Sequence, residues 1–151
     1  MPTSGPTVLP DGSGPVHQVL CAVYRFLVTS EQTGGAFALI EVVSPGSSAV
    51  PLHVHQREDE TFFMLEGRLK VFCAGNTTVL ERNATAFLPR GIPHSYSNPD
   101  ETPTKSLVLI TPGGFEKCLT EFGGFPAGQP PQFDKLVSIG KKYGLEFPAP
   151  A

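Results

Sequence analysis

Short apolar runs separated by polar turns predict that the chain is built of many β-strands. Between positions 19 and 111 the runs are brief, and glycine, proline and asparagine punctuate them. Runs of this kind, without a sustained helical period, are typical of strands in an antiparallel sheet. The predicted strands cover 19–29, 36–43, 51–55, 60–65, 68–74, 77–81, 85–88, 94–98 and 105–111. Many short strands with tight turns favour an all-β fold, either a closed antiparallel barrel or a jelly roll.

The turn residues also predict how some strands connect. The Thr-Gly-Gly segment over 33–35 separates the first two predicted strands. Glu66-Gly67 predicts a hairpin between strands 60–65 and 68–74, because glycine accepts the backbone conformation of a tight turn. Gly75-Asn76 predicts a second tight turn after it.

After position 112 the pattern changes to a helical period. Apolar residues at 115, 118, 119 and 122 have the i, i+3, i+4, i+7 spacing of one helical face, and Gly123-Gly124 would end that helix. A proline-rich link over 125–132 leads to a second predicted helix over 133–143, which Gly144 would end. We expect both helices to pack against the barrel, where they can cover one mouth of its cavity.

The length of the chain indicates a single domain. At 151 residues it can bury one sizeable core but is too short for two ordinary domains. Within that domain we expect an N-terminal arm over 1–16, a barrel over 17–112 and a helical tail over 113–151.

Composition and charge narrow the class of partner. The net charge is −3 and the basic residues form no stripe, so nucleic acid is not an expected partner. No apolar run approaches the roughly 20 residues of a membrane helix, and the N-terminus lacks the basic and apolar segments of a secretory leader. We therefore expect a soluble, cytoplasmic protein with a small-molecule substrate. Its three cysteines are expected to be buried free thiols.

Three of the four histidines and one glutamate form a candidate metal site. His53 and His55 alternate on one predicted strand, so both side chains point to the same side, and Glu60 follows five residues later. His94 follows the Pro-Arg-Gly segment over 89–91. Neutral nitrogen donors with one carboxylate suit divalent iron, nickel, copper, manganese or zinc. The alternative is a polar barrel interior in which these side chains hold no metal.

The spacing of these residues resembles the first signature motif of the cupin superfamily. The motif runs Gly46, six residues, His53, one residue, His55, four residues, Glu60, six residues, Gly67. One more residue than usual separates the first glycine from the first histidine. The resemblance implies a small antiparallel barrel that encloses one metal ion.

A second segment resembles the other cupin motif, with Pro89, Gly91, His94 and Asn98 at the motif's spacing. Asn83 stands where that motif usually has glycine, and asparagine tolerates the left-handed turn that such a glycine adopts. The two motifs and the helical tail together imply a cupin-type antiparallel β-barrel, or jelly roll, with one or two short C-terminal helices. By the same resemblance, the metal ligands are His53, His55, Glu60 and His94.

Three further segments, 33–37, 55–60 and 111–116, are similar to those of single-domain quercetin 2,3-dioxygenase-like cupins. This resemblance implies that Glu60 is both a metal ligand and the base that takes a proton from a phenolic or enolic hydroxyl. The deprotonated substrate would then bind the metal and react with dioxygen. The expected function is that of a mononuclear metal-dependent dioxygenase acting on a flavonol- or polyketide-like secondary metabolite.

The ligand set leaves other functions open. A redox-neutral isomerase, cyclase, dehydratase or decarboxylase would stabilise the same enolate, since nothing in the residues separates electron transfer from Lewis-acid chemistry. A non-catalytic barrel that binds a small molecule is the third interpretation. A homodimer, formed through an outer sheet and the apolar segment 19–28, is compatible with the pattern.

Strand alternation proposes walls for the substrate pocket. Phe62 and Met64 share a strand face with Glu60, and Tyr96 shares a face with His94. The first two would bound a flat ring and Tyr96 would orient a substrate oxygen, although each is equally consistent with core packing. The acidic residues at 58 and 59 are expected to be solvated.

Overall fold

Two antiparallel sheets form the body of the protein. The computed structural model describes residues 5–124 and 132–148, and this part of the chain contains eleven strands and three helices. The strands are β1 (Val16–Val19), β2 (Ala22–Val28), β3 (Ala38–Ser44), β4 (Ala49–His55), β5 (Asp59–Glu66), β6 (Leu69–Cys73), β7 (Asn76–Leu80), β8 (Thr85–Leu88), β9 (His94–Ser97), β10 (Thr104–Thr111) and β11 (Leu145–Glu146). The helices are α1 (Ser30–Thr33), α2 (Glu116–Phe122) and α3 (Phe133–Lys142).

The strand order is that of a jelly-roll barrel. One sheet has the order β1-β2-β3-β10-β5-β8, and the other has the order β11-β4-β9-β6-β7. Alternate side chains of both sheets point inward, and the space between the sheets is filled by a continuous apolar cluster that includes Ile40, Phe62, Met64, Leu69 and Ile110. The predicted all-β barrel with short C-terminal helices is confirmed.

The predicted hairpin at Glu66-Gly67 is wrong. β5 pairs with β8 and β10 in one sheet, whereas β6 pairs with β7 and β9 in the other. Gly67, with φ +73, therefore carries the chain from one sheet to the other, and a Cβ there would lie 3.2 Å from the Thr104 backbone. Strand alternation fixes which face of a strand is buried but not which neighbour it pairs with, so the sequence pattern could not distinguish the two arrangements.

The stretch predicted as one strand over 19–29 is two strands. Val19 pairs with Ala22, which leaves Leu20 and Cys21 as a two-residue turn, with Leu20 at φ +55. An apolar residue such as leucine is uncommon in the left-handed region, so an apolar run does not predict a turn at this position. Cys21 in the turn is exposed and Cys73 is half-buried, so the expectation of three buried thiols is wrong; Cys118 is buried as expected.

The C-terminal tail follows its predicted pattern and adds one strand. The four apolar residues of the first stripe are buried, and α2 is followed by Gly123, as predicted. α3 ends at Lys142, one residue before the predicted end, and Gly144 follows with φ +75. β11, which the pattern did not predict, pairs with β4 so that Leu145 lies opposite His55. The predicted link falls outside the described residues except for Gln132.

Two further observations concern the backbone at Asn83 and the length of the helices. Asn83 has φ +67, so it adopts the left-handed conformation expected at that position. Among the described residues, no helix is long and apolar enough to cross a membrane.

Candidate metal centre

Three strands bring the predicted ligands to one point inside the barrel. β4 carries His53 and His55, β9 carries His94 directly opposite His53, and β5 of the other sheet carries Glu60. All four side chains are buried, and one potential ligand atom from each lies within 4.8 Å of those of the other three. The barrel thus assembles into one cluster four residues that are up to 41 positions apart in the sequence.

The carboxylate of Glu60 is the hub of this cluster. Its Oε2 lies 3.0 Å from Nε2 of His94, and its Oε1 lies 3.5 Å from Nε2 of His55. One carboxylate therefore faces two imidazoles through separate oxygens. Lone-pair atoms that converge so closely need positive charge between them, either as protons or as a cation.

Contacts on the outer side of each imidazole indicate which ring nitrogen faces the cluster. Nδ1 of His53 donates to the Pro51 carbonyl oxygen at 2.7 Å, and Nδ1 of His94 donates to that of Ile92 at 3.3 Å. A carbonyl oxygen only accepts, so the tautomer that satisfies these contacts has its proton on Nδ1. For a neutral ring, this leaves the Nε2 lone pair available as a ligand. In His94 the Glu60 carboxylate, 3.0 Å from Nε2, would be satisfied by a proton on Nε2, a place that a bound cation can take.

His55 has a carboxylate in the place where the other two histidines have a carbonyl. Its Nδ1 lies 3.6 Å from Oε2 of Glu58, and neither atom has a hydrogen-bond partner among the described residues. Glu58 is only 6% exposed, so the expectation that it is solvated is wrong. Because β5 begins only at Asp59, strand alternation did not apply to Glu58 and could not place its side chain. A carboxylate behind a histidine is a common way to orient a metal ligand.

The electrostatics of the cluster favour the protonation states that ligation requires at His53 and Glu60, but not at His55. Burial, reinforced by the neighbouring His94, lowers the pKa of His53 to about 4, so this ring is neutral at pH 7. Burial alone would raise the pKa of Glu60, but the three imidazoles outweigh it and lower the pKa to about 2. Burial would lower the pKa of His55, yet the carboxylates of Glu60 and Glu58 raise it overall.

The donor set fits one divalent transition metal ion. Three imidazoles and one ionised carboxylate supply borderline nitrogen and hard oxygen donors, and no thiolate lies among them. Nδ1 of His55 and Oε2 of Glu58 face each other and have no hydrogen-bond partner among the described residues. A carboxylate in this position is what a metal-bound histidine usually contacts through its outer nitrogen. The same donors accept iron, nickel, copper, manganese or zinc, so they do not select among these ions.

A cavity of about 60 Å³ opens from this cluster into the barrel. Its walls are mostly apolar, with Ile40, Val108 and Ile110 contributed by one sheet. This volume exceeds the roughly 10–15 Å³ that one water needs. An apolar cavity with a few convergent polar groups is the usual form of a small-molecule site.

The three predicted pocket residues are placed differently. Phe62 and Tyr96 line the cavity, with their ring centroids 5.2 Å apart. Met64 shares the strand face of Phe62 but lies further from the cluster, fully buried in the core and outside the cavity lining.

Sequence reasoning missed two contributors to the cavity. Tyr24 of β2 lines it, and its hydroxyl lies 3.3 Å from that of Tyr96. Phe147, just after β11, also lines it, and its ring centroid lies 6.4 Å from that of His53. Tyr24 sits in an apolar alternation that resembles ordinary core, so nothing in the sequence marks it. The tail, including Phe115, Leu119 and Phe122 around α2, covers the cavity as expected.

Comparisons with known proteins match the part of the chain that forms the barrel. A family model described as a cupin domain matches residues 39–110, which contain all four residues of the cluster. Quercetin 2,3-dioxygenase of Aspergillus japonicus is 34% identical over 108 residues. That alignment covers 67% of this chain but only 31% of the relative, so the chain spans about a third of the relative's length.

Two further proteins share the fold or part of the sequence. The tetracenomycin polyketide synthase protein TcmJ of Streptomyces glaucescens is 34% identical over 91 residues, covering 58% of this chain and 60% of TcmJ. The solved structure of KdgF from a Halomonas species superposes with a TM-score of 0.66 and 12% identity, covering 75% of this chain and 99% of KdgF. At that identity the structural match supports the fold alone.

Proposed function

The chain belongs to the cupin superfamily, and from that premise we propose that it is a metal-dependent dioxygenase acting on a phenolic or enolic small molecule. The observation that carries this proposal is the buried cluster of three imidazoles and one carboxylate at the end of an apolar cavity. The similarity to quercetin 2,3-dioxygenase supports a flavonol-like substrate, and the similarity to TcmJ supports a polyketide-like one; both classes are typical of secondary metabolism.

In this proposal His53, His55, Glu60 and His94 hold one divalent transition metal ion. When bound, the ion supplies Lewis acidity toward a substrate oxygen and, if it is redox-active, electrons for chemistry with dioxygen. The outer contacts of the three imidazoles at Nδ1 would leave Nε2 available to the ion. Three neutral rings and one carboxylate leave a divalent centre with a net charge of about +1, which favours an anionic substrate.

Glu60 is proposed to accept the proton of the substrate hydroxyl. Its pKa of about 2 keeps it ionised at neutral pH, as an acceptor must be, but also makes it a weak base. Proton transfer to Glu60 is therefore favourable only where the positive charge of the site stabilises the substrate anion that remains. The two carboxylate oxygens face different imidazoles, so one can take the proton while the other keeps its contact.

The apolar walls are proposed to orient the substrate and to exclude water. The rings of Phe62 and Tyr96 meet edge to face on the wall of the cavity, where they offer aromatic contacts to a flat conjugated molecule. Residues around α2 and β11 cover this space. Exclusion of bulk water strengthens the electrostatic interactions inside the cavity.

The test begins with protein stripped of metal and reloaded separately with each of the five ions. Oxygen uptake is then measured with quercetin and with 1,3,6,8-tetrahydroxynaphthalene as representatives of the flavonol and polyketide classes. We expect at least one ion to support uptake, and we expect Glu60→Gln to lower turnover by about 100-fold or more. Metal content must be measured in the same samples, because the proposal requires turnover to fall further than metal content. Glu66→Gln, on the same strand but with an exposed side chain, is the matched control.

A redox-neutral reaction on a polyketide is the second candidate function. The similarity to a polyketide synthase protein from Streptomyces favours it, because that name does not point to an oxygenase. Isomerisation, cyclisation, dehydration and decarboxylation all use an enolate that the same site would stabilise. Product formation under argon at the aerobic rate would replace the dioxygenase proposal with this one. Binding without turnover in either atmosphere would indicate a non-catalytic barrel.

Three expectations from the sequence remain proposals. They are the division into an arm (1–16), a barrel (17–112) and a tail (113–151), a cytoplasmic location, and a homodimer. Sedimentation equilibrium of the full chain tests the last of these directly.

A further inference from the structure

Two tyrosines from opposite sheets meet inside the barrel. Tyr24 extends from β2 and Tyr96 from β9, and their hydroxyl oxygens lie 3.3 Å apart. Both residues line the cavity, as do His53, His55 and Glu60 of the His/Glu cluster. A polar bridge of this kind is costly among apolar walls unless its hydrogen bonds are satisfied.

Counting protons shows that the bridge is only half satisfied. Two hydroxyls carry two protons, and one mutual hydrogen bond uses one of them. In the part of the chain that the structure describes, neither hydroxyl has another hydrogen-bond partner. Burial raises the pKa of Tyr24 to about 12 and that of Tyr96 well above its ordinary value, so both stay protonated at neutral pH. One phenolic O–H is therefore available to a ligand in the cavity.

The position of Tyr96 connects this donor to the candidate centre. Its ring centroid lies 6.3 Å from that of His53 and 5.2 Å from that of Phe62. One small molecule packed against Phe62 can therefore reach both the cluster and the tyrosine pair.

We propose that the Tyr24–Tyr96 pair is a second oxygen-binding point, donating its spare O–H to a carbonyl oxygen of a substrate whose hydroxyl oxygen binds at the His/Glu cluster. The proposal rests on the proposed function, and it narrows the substrate to hydroxy-carbonyl compounds, in which a phenol or enol is conjugated to a separate carbonyl. One tyrosine polarises the other, since an O–H that accepts a hydrogen bond becomes a better donor. A hydroxyl without a carbonyl would leave the buried donor unpaired and would bind less tightly.

The test compares two probes that differ at one oxygen. In 3,4-dihydroxyacetophenone a catechol that can bind the metal carries a distal carbonyl, whereas 4-ethylcatechol has nearly the same shape without that oxygen. Dissociation constants are measured anaerobically by calorimetry on zinc-loaded protein, so the result does not depend on oxygen chemistry. The chain has three tyrosines, and the third, Tyr143 near the end of α3, provides the matched control Tyr143→Phe.

We expect the affinity ratio of the acetyl to the ethyl probe to fall by about 3- to 10-fold in the double variant Tyr24→Phe/Tyr96→Phe. Each single variant should retain part of the preference, because the remaining hydroxyl can still donate. Tyr143→Phe should match the wild type. Comparing ratios cancels the different acidities of the two catechols.

Two outcomes would overturn the proposal. If both probes weaken by the same factor in the double variant, the pair only braces the barrel, and the proposed metal-dependent function is untouched. If neither probe binds the zinc-loaded wild type, the metal-anchored substrate fails and the proposal fails with it. A preserved change in ratio together with absent oxygen uptake would support the tyrosine pair while rejecting the dioxygenase.

Discussion

Replacement of Glu58 tests whether the imidazoles are held by their outer contacts. Glu58 faces Nδ1 of His55 at 3.6 Å, and neither of the two atoms has another hydrogen-bond partner among the described residues. Glu58→Gln keeps the volume and an acceptor oxygen but removes the charge, whereas Glu58→Leu removes both. Neither variant alters a residue of the His/Glu cluster.

The size of the effect can be worked out in two ways. A hydrogen bond to a charged group contributes about 1.5–3 kcal/mol when its partner has no substitute. Loss of an outer partner of a metal-bound histidine typically lowers metal affinity by about 10- to 100-fold, or about 1.4–2.7 kcal/mol. The 3.6 Å separation exceeds the ideal hydrogen-bond length, which places the glutamine variant toward the lower end. We therefore expect about a tenfold loss for Glu58→Gln and a larger loss, approaching 100-fold, for Glu58→Leu.

The assay is competition for Zn²⁺ against a chromophoric chelator at fixed pH. Glu66→Gln is the control, because Glu66 is the last residue of β5, the strand that follows Glu58, and its side chain is 69% exposed and lies 3.8 Å from Lys105. Thermal melts of each variant without metal exclude a general loss of folding. Zinc affinity within twofold of wild type for Glu58→Leu would refute the role given to Glu58.

Three further predictions address stability and reactivity. Chelation of the metal should lower the melting temperature, because a ligand at about 1,000 times its dissociation constant stabilises the folded state by about 4 kcal/mol; an unchanged melt would argue against a specific site. Ellman's reagent at pH 8 should label the exposed Cys21 rapidly and Cys118 only after unfolding, because burial raises the pKa of Cys118 to about 12; equal rates would contradict this placement. Burial raises the pKa of Tyr24 from its ordinary value near 10 to about 12, so its contribution to stability is complete below pH 10 and is lost as the pH rises toward 12. This loss amounts to about 2–3 kcal/mol, and alkaline unfolding monitored at 295 nm should be shallower in Tyr24→Phe than in wild type.

The His/Glu cluster shows which features of a site can be predicted from the local sequence pattern. His53 and His55 share a strand face because side chains alternate with a period of two, and that inference needs no tertiary information. Their placement on a buried strand was confirmed, as was the strand that carries His94. The convergence of these strands with β5 was expected only through resemblance to a family, because alternation says nothing about which strands lie near each other.

The hairpin predicted at Glu66-Gly67 failed for the same reason. Its glycine and flanking strands were identified correctly, but the turn joins strands of different sheets. Pairing partners are selected by long-range contacts, such as those of β5 with β10. The entropy lost in closing the intervening loop and the free energy gained on pairing depend on residues that are far apart in the chain.

The amino-acid sequence by itself determined most of the strand segments, the helical face of α2 and the types of donor atom available to a metal. These features depend on backbone preferences and on the chemistry of single side chains, which neighbouring residues are sufficient to specify. Only the tertiary structure decided that Glu58 lies behind His55, that Tyr24 meets Tyr96 and that Phe147 lines the cavity. Each of those contacts joins separate elements, and its position depends on how the two sheets and the tail pack together.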